Sequence, residues 1–238
     1  MKHLVVGFGD VGRGLYEILQ ENKKEVVTID KDNNLEGKFD VLHICFPYSA
    51  QFIDYIHDYI AKYNPSLVII HSTVAPGTTE NIRFIKTVHS PVRGRYPRMA
   101  GDIKSYIKYF GGKHSEEASN IFQEMGLRTK CFKSAKVTEL GKLLSNIRWG
   151  LNIAFAQEQK RMCEYYGISY EEVVNEFEHS RNEGLKKINR QNVVMPILFP
   201  GYIGGHCVMP NVNILMQEYP SMFLRVIVDS NERYGQKI

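Results

Sequence analysis

Several groups of residues have types and spacings suited to chemistry. Gly7-Phe8-Gly9-Asp10-Val11-Gly12 has the pattern G-x-G-x-x-G. In that pattern the first glycine permits a tight turn and the second lets the backbone approach a pyrophosphate. The third allows close helix–sheet packing. Asp30 follows Gly12 by 18 residues, close to the spacing of an acid that accepts hydrogen bonds from an adenosine ribose. A carboxylate there repels a 2′-phosphate and favours NAD over NADP, a preference that Lys24 and Lys31 nearby weaken. Glu139, Lys142 and Asn146 recur at i, i+3 and i+7, on one face of a helix. Lys142 and Asn146 could hold an alcohol or carbonyl oxygen and stabilise it as it becomes anionic. By spacing alone, a solvated Glu–Lys pair on an exposed face remains the plainer alternative.

Gly204-Gly205-His206-Cys207 places a thiol behind two glycines, which remove side-chain cover. Such a cysteine could attack an aldehyde; a structural cysteine in a turn is the alternative. His71-Ser72-Thr73 follows an apolar run, where loops after parallel strands face a ligand crevice. Arg93, Arg95 and Arg98 cluster around Tyr96 and suit a phosphate or a solvated loop.

The elements that must position these groups alternate. Apolar runs at Leu4–Val6, Val26–Ile29, Val41–Cys45 and Leu67–Ile70 read as strands. Helical periods over Val11–Gln20 and Ser49–Tyr63 separate them. Continuous apolar strands with helices between them predict a parallel sheet covered on both faces. Further strands are expected at Ile85–Val88, Tyr106–Phe110 and Arg128–Phe132, with a helix over Ser115–Met125. A helix start is expected at Pro76–Glu80. Val137–Tyr166 is one long helical period. Ser169 with Glu172 forms a capping-box pattern. Gln191–Pro210 reads as an extended loop, followed by two short helices.

The expected fold class is α/β, with a Rossmann-like doubly wound parallel sheet followed by a helical domain built on a long central helix. The boundary is placed near Ser134, giving an NAD-binding domain over 1–133 and a helical dimerisation domain carrying the cysteine loop over 134–238.

Composition narrows the class. The chain has 238 residues, 43% hydrophobic and 24% charged, which excludes disordered and collagen-like proteins. It has no apolar run of about 18 residues, so no membrane span is expected. The opening Met1–Gly7 is too short for a secretory leader, and a cytoplasmic protein is expected. Cys45, Cys131, Cys163 and Cys207 form no C-x-x-C pair, so free thiols and no metal site are expected. The net charge of +4 is scattered without stacking motifs, which argues against nucleic acid.

Together the motifs resemble one family, the UDP-glucose/GDP-mannose dehydrogenases (nucleotide-sugar 6-dehydrogenases). Its dinucleotide loop is similar to Gly7–Gly12. Its S-T-V-x-P-G-T-T segment resembles Ser72-Thr73-Val74-Ala75-Pro76-Gly77-Thr78-Thr79. Its E-L-x-K-L-x-x-N helix start resembles Glu139–Asn146, and its G-G-x-C loop resembles Gly204–Cys207.

The resemblance implies an NAD-dependent oxidation of a primary alcohol, through an aldehyde, to a carboxylate. Cys207 would be the nucleophile, forming a thiohemiacetal and then a thioester. Lys142 and Asn146 would hold the substrate oxygen, and Thr73 would position a water. Gly7, Phe8, Gly9, Asp10, Val11, Gly12, Asp30, Pro47, Ser72 and Thr73 would contact the cofactor. Arg93, Arg95, Gly204, Gly205 and His206 would contact a sugar-derived substrate. The long helix, with Leu143, Leu144, Trp149, Leu151 and Phe155, would form a homodimer.

The chain departs from the family pattern in places. Where the family has carboxylates after a Ser-Pro pair, the chain reads Ser90-Pro91-Val92-Arg93-Gly94-Arg95-Tyr96. Asn211 stands where the family has an aspartate. The segment between Asp30 and Asp40 is short, and the expectation is a shortened form lacking the family's C-terminal nucleotide-binding domain. Two alternatives therefore stay open. One is a hydroxyacid-type dehydrogenase using Lys142 and Asn146 without the cysteine. The other is a protein that binds NAD or a nucleotide sugar without turnover.

Overall fold

A computed structural model describes residues 1–30, 35–84 and 86–235. Lys31 and Ile85, both named above, lie outside the described residues. The chain forms two compact units, 1–143 and 144–238.

The first unit begins with β1 (Lys2–Val6), α1 (Asp10–Glu21), β2 (Glu25–Ile29), β3 (Val41–Ile44), α2 (Phe52–Tyr63) and β4 (Leu67–Ile70). It continues with α3 (Thr78–Asn81), β5 (Thr87–His89), α4 (Met99–Ser105), β6 (Lys108–Gly111), α5 (Ser115–Gln123) and β7 (Thr129–Phe132). The strands make one sheet in the order β2-β1-β3-β4-β5-β6-β7. The first five are parallel neighbours; β6 runs antiparallel to β5, and β7 parallel to β6. The order turns back at β1, which puts a switch point between β1 and β3.

The strands are apolar without alternation because both sheet faces are buried. On one face Val5, Val41 and Ile69 pack with Leu15 and Ile18 of α1. On the other, Leu4, Leu42 and Val68 pack with Phe52 and Ile56 of α2. Each such side chain contributes about 1.5–3 kcal/mol when fully buried.

Then comes α6 (Ala135–Tyr166), 32 residues long. Ser134 caps it, its hydroxyl accepting a hydrogen bond from the Lys136 N–H. Residues 144–166 of α6 belong to the second unit with α7 (Phe177–Lys187), α8 (Val208–Glu218) and α9 (Met222–Gly235). Gly150 lets this helix approach α8 and α9 closely. A Cβ there would meet Val208 at 2.7 Å and Ile227 at 3.3 Å.

The structure shifts several expected boundaries. α4 was not expected, because seven residues give too few turns for a clear period. Ser169 and Glu172 do not open an α-helix; a π-helical stretch, Glu171–Glu176, precedes α7 with no side-chain cap. The extended loop ends earlier than Pro210, which lies in the first turn of α8, where a missing N–H costs nothing.

Candidate active site

The glycine loop sits where β1 ends and α1 begins. Gly7 has φ +92°, and a Cβ there would lie 2.8 Å from the Phe46 nitrogen. Gly12 is more constrained, since a Cβ would fall 2.0 Å from the Gly7 carbonyl oxygen. Gly9 differs from both. It is exposed, and its missing Cβ faces open space. It is also the N-cap of α1, with no side chain bonded to the free N–H groups. This leaves an open cradle at a helix N-terminus, the arrangement that accepts a pyrophosphate. Asp30 is exposed at the end of β2, the strand beside β1. The residues present therefore fit an adenine dinucleotide.

The loops after β3 and β4 flank this cradle. The buried Ser72 donates its hydroxyl to the Phe46 carbonyl at 2.6 Å. That bond pins one loop to the other, so the half-buried Thr73 and exposed Pro47 are the more accessible of the expected residues here. Arg13 was missed by sequence reading. Its Nε donates to the Phe8 carbonyl at 3.0 Å and its guanidinium lies over the Phe8 ring, beside the glycine loop. A basic residue one position after the third glycine was the available sign. Arg93 and Arg95 are exposed; Arg93 lies over Tyr109, and the Arg95 N–H donates to Asp102. Val92 is buried, and Tyr96 is exposed.

Glu139 overturns the solvated-pair reading. It is fully buried, and its two carboxylate oxygens accept the N–H groups of Gly77, at 2.6 Å, and Thr79, at 2.9 Å. Burial raises its pKa, and the bonds from Thr79 and Gly77 partly offset that. His89 joins the same two segments. One ring nitrogen faces the Ser72 carbonyl and the other the Thr138 hydroxyl. The Ser72–Thr79 segment is thus fastened to the first turns of α6, which carry the half-buried Lys142 one turn before Asn146.

In the second unit Cys207 is a free, exposed thiol at the N-cap of α8. Gly205 before it has φ +80° and open space around its missing Cβ. Gly204 and His206 are exposed. The loop leading to them is fixed by Asn231, which accepts from the Ile203 N–H at 2.6 Å and donates to its carbonyl at 3.2 Å. Gln157 of α6 donates to the Gly201 carbonyl. Neither residue was legible as functional, because each is an amide in a helical period. Asn211, one turn after Cys207, is buried, and its Nδ2 has no hydrogen-bond partner among the described residues.

A Rossmann-type α/β fold with an open dinucleotide cradle is the class these features define. Residues 136–233 match the model of the UDP-glucose/GDP-mannose dehydrogenase family, central domain. Over these residues the chain is similar to this family. It is 29% identical over 196 residues to a UDP-N-acetyl-D-mannosamine dehydrogenase of Methanocaldococcus jannaschii, covering 72% of this chain and 43% of that one. A protein of the same description from Pyrococcus horikoshii is 27% identical, with 94% of this chain and 57% of that one covered. The chain thus spans about half the length of these curated relatives. The structure of the UDP-D-ManNAc dehydrogenase from P. horikoshii superposes with a TM-score of 0.78 at 20% identity, covering 100% of this chain and 69% of that one. Mycobacterium tuberculosis 3-hydroxyisobutyrate dehydrogenase shares the fold, with a TM-score of 0.69 at 13% identity and coverage of 99% and 93%.

Proposed function

We propose that the protein is an NAD-dependent dehydrogenase that oxidises a primary alcohol of a sugar nucleotide. UDP-N-acetyl-D-mannosamine, named for its relatives, is the first candidate substrate. The observation that carries the cofactor assignment is the open helix terminus at Gly9 with Asp30 exposed at the neighbouring strand end. The bound nicotinamide would accept the hydride. Phe8, Asp10 and Val11 line the turn, with Pro47, Ser72 and Thr73 on the facing loops. Asp30 favours NAD through the ribose hydroxyls.

The protein's own groups supply the rest. Lys142 and Asn146 hold the substrate oxygen, and Lys142 stabilises it as charge develops. Loss of hydride and a proton from the alcohol leaves an aldehyde. The Cys207 sulfur adds to its carbonyl carbon, giving a thiohemiacetal. The thiohemiacetal then loses a proton and a hydride, the latter to a second NAD that has replaced the reduced cofactor, and becomes a thioester. Water, positioned by Thr73, releases the acid and regenerates the thiol. Gly204, Gly205 and His206 leave room at the thiol, and Arg93 and Arg95 offer charge to the diphosphate.

A second reading is favoured by one observation. Val92 and Asn211 provide no carboxylate where the family's resemblance leads one to expect acids. General base help is worth about 10²–10⁴-fold. Without it the chemistry would stop at a single oxidation, as in a hydroxyacid-type enzyme, or at binding alone.

Among the described residues no helix is long and apolar enough to cross a membrane, and we place the protein in the cytoplasm. We also propose a homodimer through α6, on which Trp149 (48% exposed), Phe155 (61%) and Tyr165 (84%) lie. A monomer in sedimentation analysis at micromolar concentration would contradict this. For the cofactor, a calorimetric comparison is decisive: NAD binds and NADP binds more weakly. Failure of both to bind would overturn the reading.

A further inference from the structure

Three histidines cross the core of the first unit in a diagonal row. His3 lies on β1, His43 on β3, and His71 just after β4. All three are buried. His3 Nδ1 is 2.9 Å from His43 Nε2, and His43 Nδ1 is 3.0 Å from His71 Nε2. The row ends with His71 Nδ1 at 2.8 Å from the Ser90 carbonyl oxygen.

His71 Nδ1 also lies 3.4 Å from Lys108 Nζ, but the carbonyl contact is much the shorter and sets the protons of the row. A carbonyl only accepts, so His71 Nδ1 carries the hydrogen. His71 Nε2 therefore accepts from His43 Nδ1–H, and His43 Nε2 from His3 Nδ1–H. The remaining lone pair, on His3 Nε2, is buried and has no hydrogen-bond partner among the described residues.

The same Ser90 carbonyl accepts from Lys108 Nζ at 3.2 Å. Lys108 is buried on β6, beside the rings of Phe110 and Phe122, and forms no salt bridge among the described residues. The titratable groups facing it are His43, His71 and His89 and the Cys45 thiol. At the far end His3 faces the N-terminal ammonium, Lys24 and Asp40. No described trio is placed to hold a metal ion.

We propose that Lys108 and this histidine row form one pH-sensing unit beneath the cofactor loops, which admits a single positive charge and tunes dinucleotide affinity by it. Among the described residues no carboxylate faces Lys108 to balance a second charge beside it, and every ring nitrogen facing Lys108 is already bonded. Burial brings the Lys108 ammonium down to about 7, so its charge changes near neutrality, while His3 is held at about 4. The position gives the charge a reader. His71 directly precedes Ser72, and Ser90 directly follows β5, at the strand ends where dinucleotides bind in this fold. NAD carries a positive nicotinamide ring and NADH does not, so charged Lys108 disfavours NAD relative to NADH.

This inference rests on the proposed cofactor, and its test separates the two. Carbon-13 NMR of the lysine side chains in the full-length protein reads Lys108 directly, and Lys108→Met assigns the signal. The expected result is one lysine titrating near pH 7, with His3, His43 and His71 all showing neutral Nδ1–H tautomers at that pH. A Lys108 signal titrating near 10, or an Nε2–H tautomer at His71, would overturn the unit. The NADH-to-NAD affinity ratio should rise severalfold in the wild type from pH 8 to pH 6 and stay flat in Lys108→Met. A flat wild-type ratio would overturn the sensing. If neither dinucleotide binds at any pH, the proposed function and the sensing both fall, while the Lys108 titration still decides the unit itself.

Discussion

The carboxylate of Glu139 accepts the backbone N–H of Gly77 at 2.6 Å across 62 residues of sequence. With its second bond, to Thr79, it fastens the segment after β4 to the helix that carries Lys142. A residue that reads as half of a surface ion pair is instead a buried clamp beside the expected catalytic groups.

Glu139→Ala should leave two N–H groups without their acceptor. Each buried unsatisfied donor costs about 1–3 kcal/mol. Urea denaturation should therefore show a loss of about 2–6 kcal/mol. A midpoint unchanged from wild type would show that the clamp carries no stability.

Gly9 and Gly12 should separate binding from folding. Gly9→Ala places a methyl group in open space, so stability holds while NAD affinity falls, because the methyl occupies the pyrophosphate approach. Gly12→Ala drives a methyl group onto the Gly7 carbonyl and should destabilise by about 1–3 kcal/mol or more. Calorimetry and thermal melts on both variants check this. Undiminished NAD affinity in Gly9→Ala would argue against the cradle.

Asn231 holds the cysteine loop by a pair of bonds to Ile203. Asn231→Ala should cost about 2–3 kcal/mol, since the Ile203 N–H is buried. It should also open the loop around Tyr202 to limited proteolysis sooner than in the wild type. Equal cleavage rates would remove Asn231 from this role.

The buried histidines set an acid limit. Burial first, then neighbouring charges, puts His3 at about 4, and His43 and His71 well below the ordinary value of 6.5. For His89 burial alone leads, giving about 3. The unfolded chain then binds more protons than the folded one below pH 6.5. Stability from these groups is complete above that value and is lost as pH falls toward 4 and 3. Lys108 acts in a higher window. Its burial penalty is full below about 7 and is relieved as pH rises toward the unfolded value. Urea midpoints from pH 8 to 4 should fall most steeply below 6.5; a flat curve would contradict neutral buried rings.

What could be read in advance was local. Gly7, Gly9 and Gly12 were legible because the turn itself dictates them. Cys207 stood out through the glycines before it. The apolar strands β1, β3 and β4 were legible because both sheet faces are covered. What escaped depended on partners distant in sequence. Glu139 has the period of an exposed face, and only Gly77 and Thr79 make it a core residue. His3, His43 and His71 interrupt strands singly, and their row exists only through the strand register. Gly14 was not singled out, yet a Cβ there would meet Met99 at 2.5 Å, where α1 packs on the unforeseen α4.

The central claim is oxidation by NAD with Cys207 as nucleophile, and stoichiometry with UDP-N-acetyl-D-mannosamine tests it most directly. The wild type should form two NADH per molecule of acid, and Cys207→Ser should form no acid. One NADH per product, or unchanged acid formation by Cys207→Ser, would contradict it.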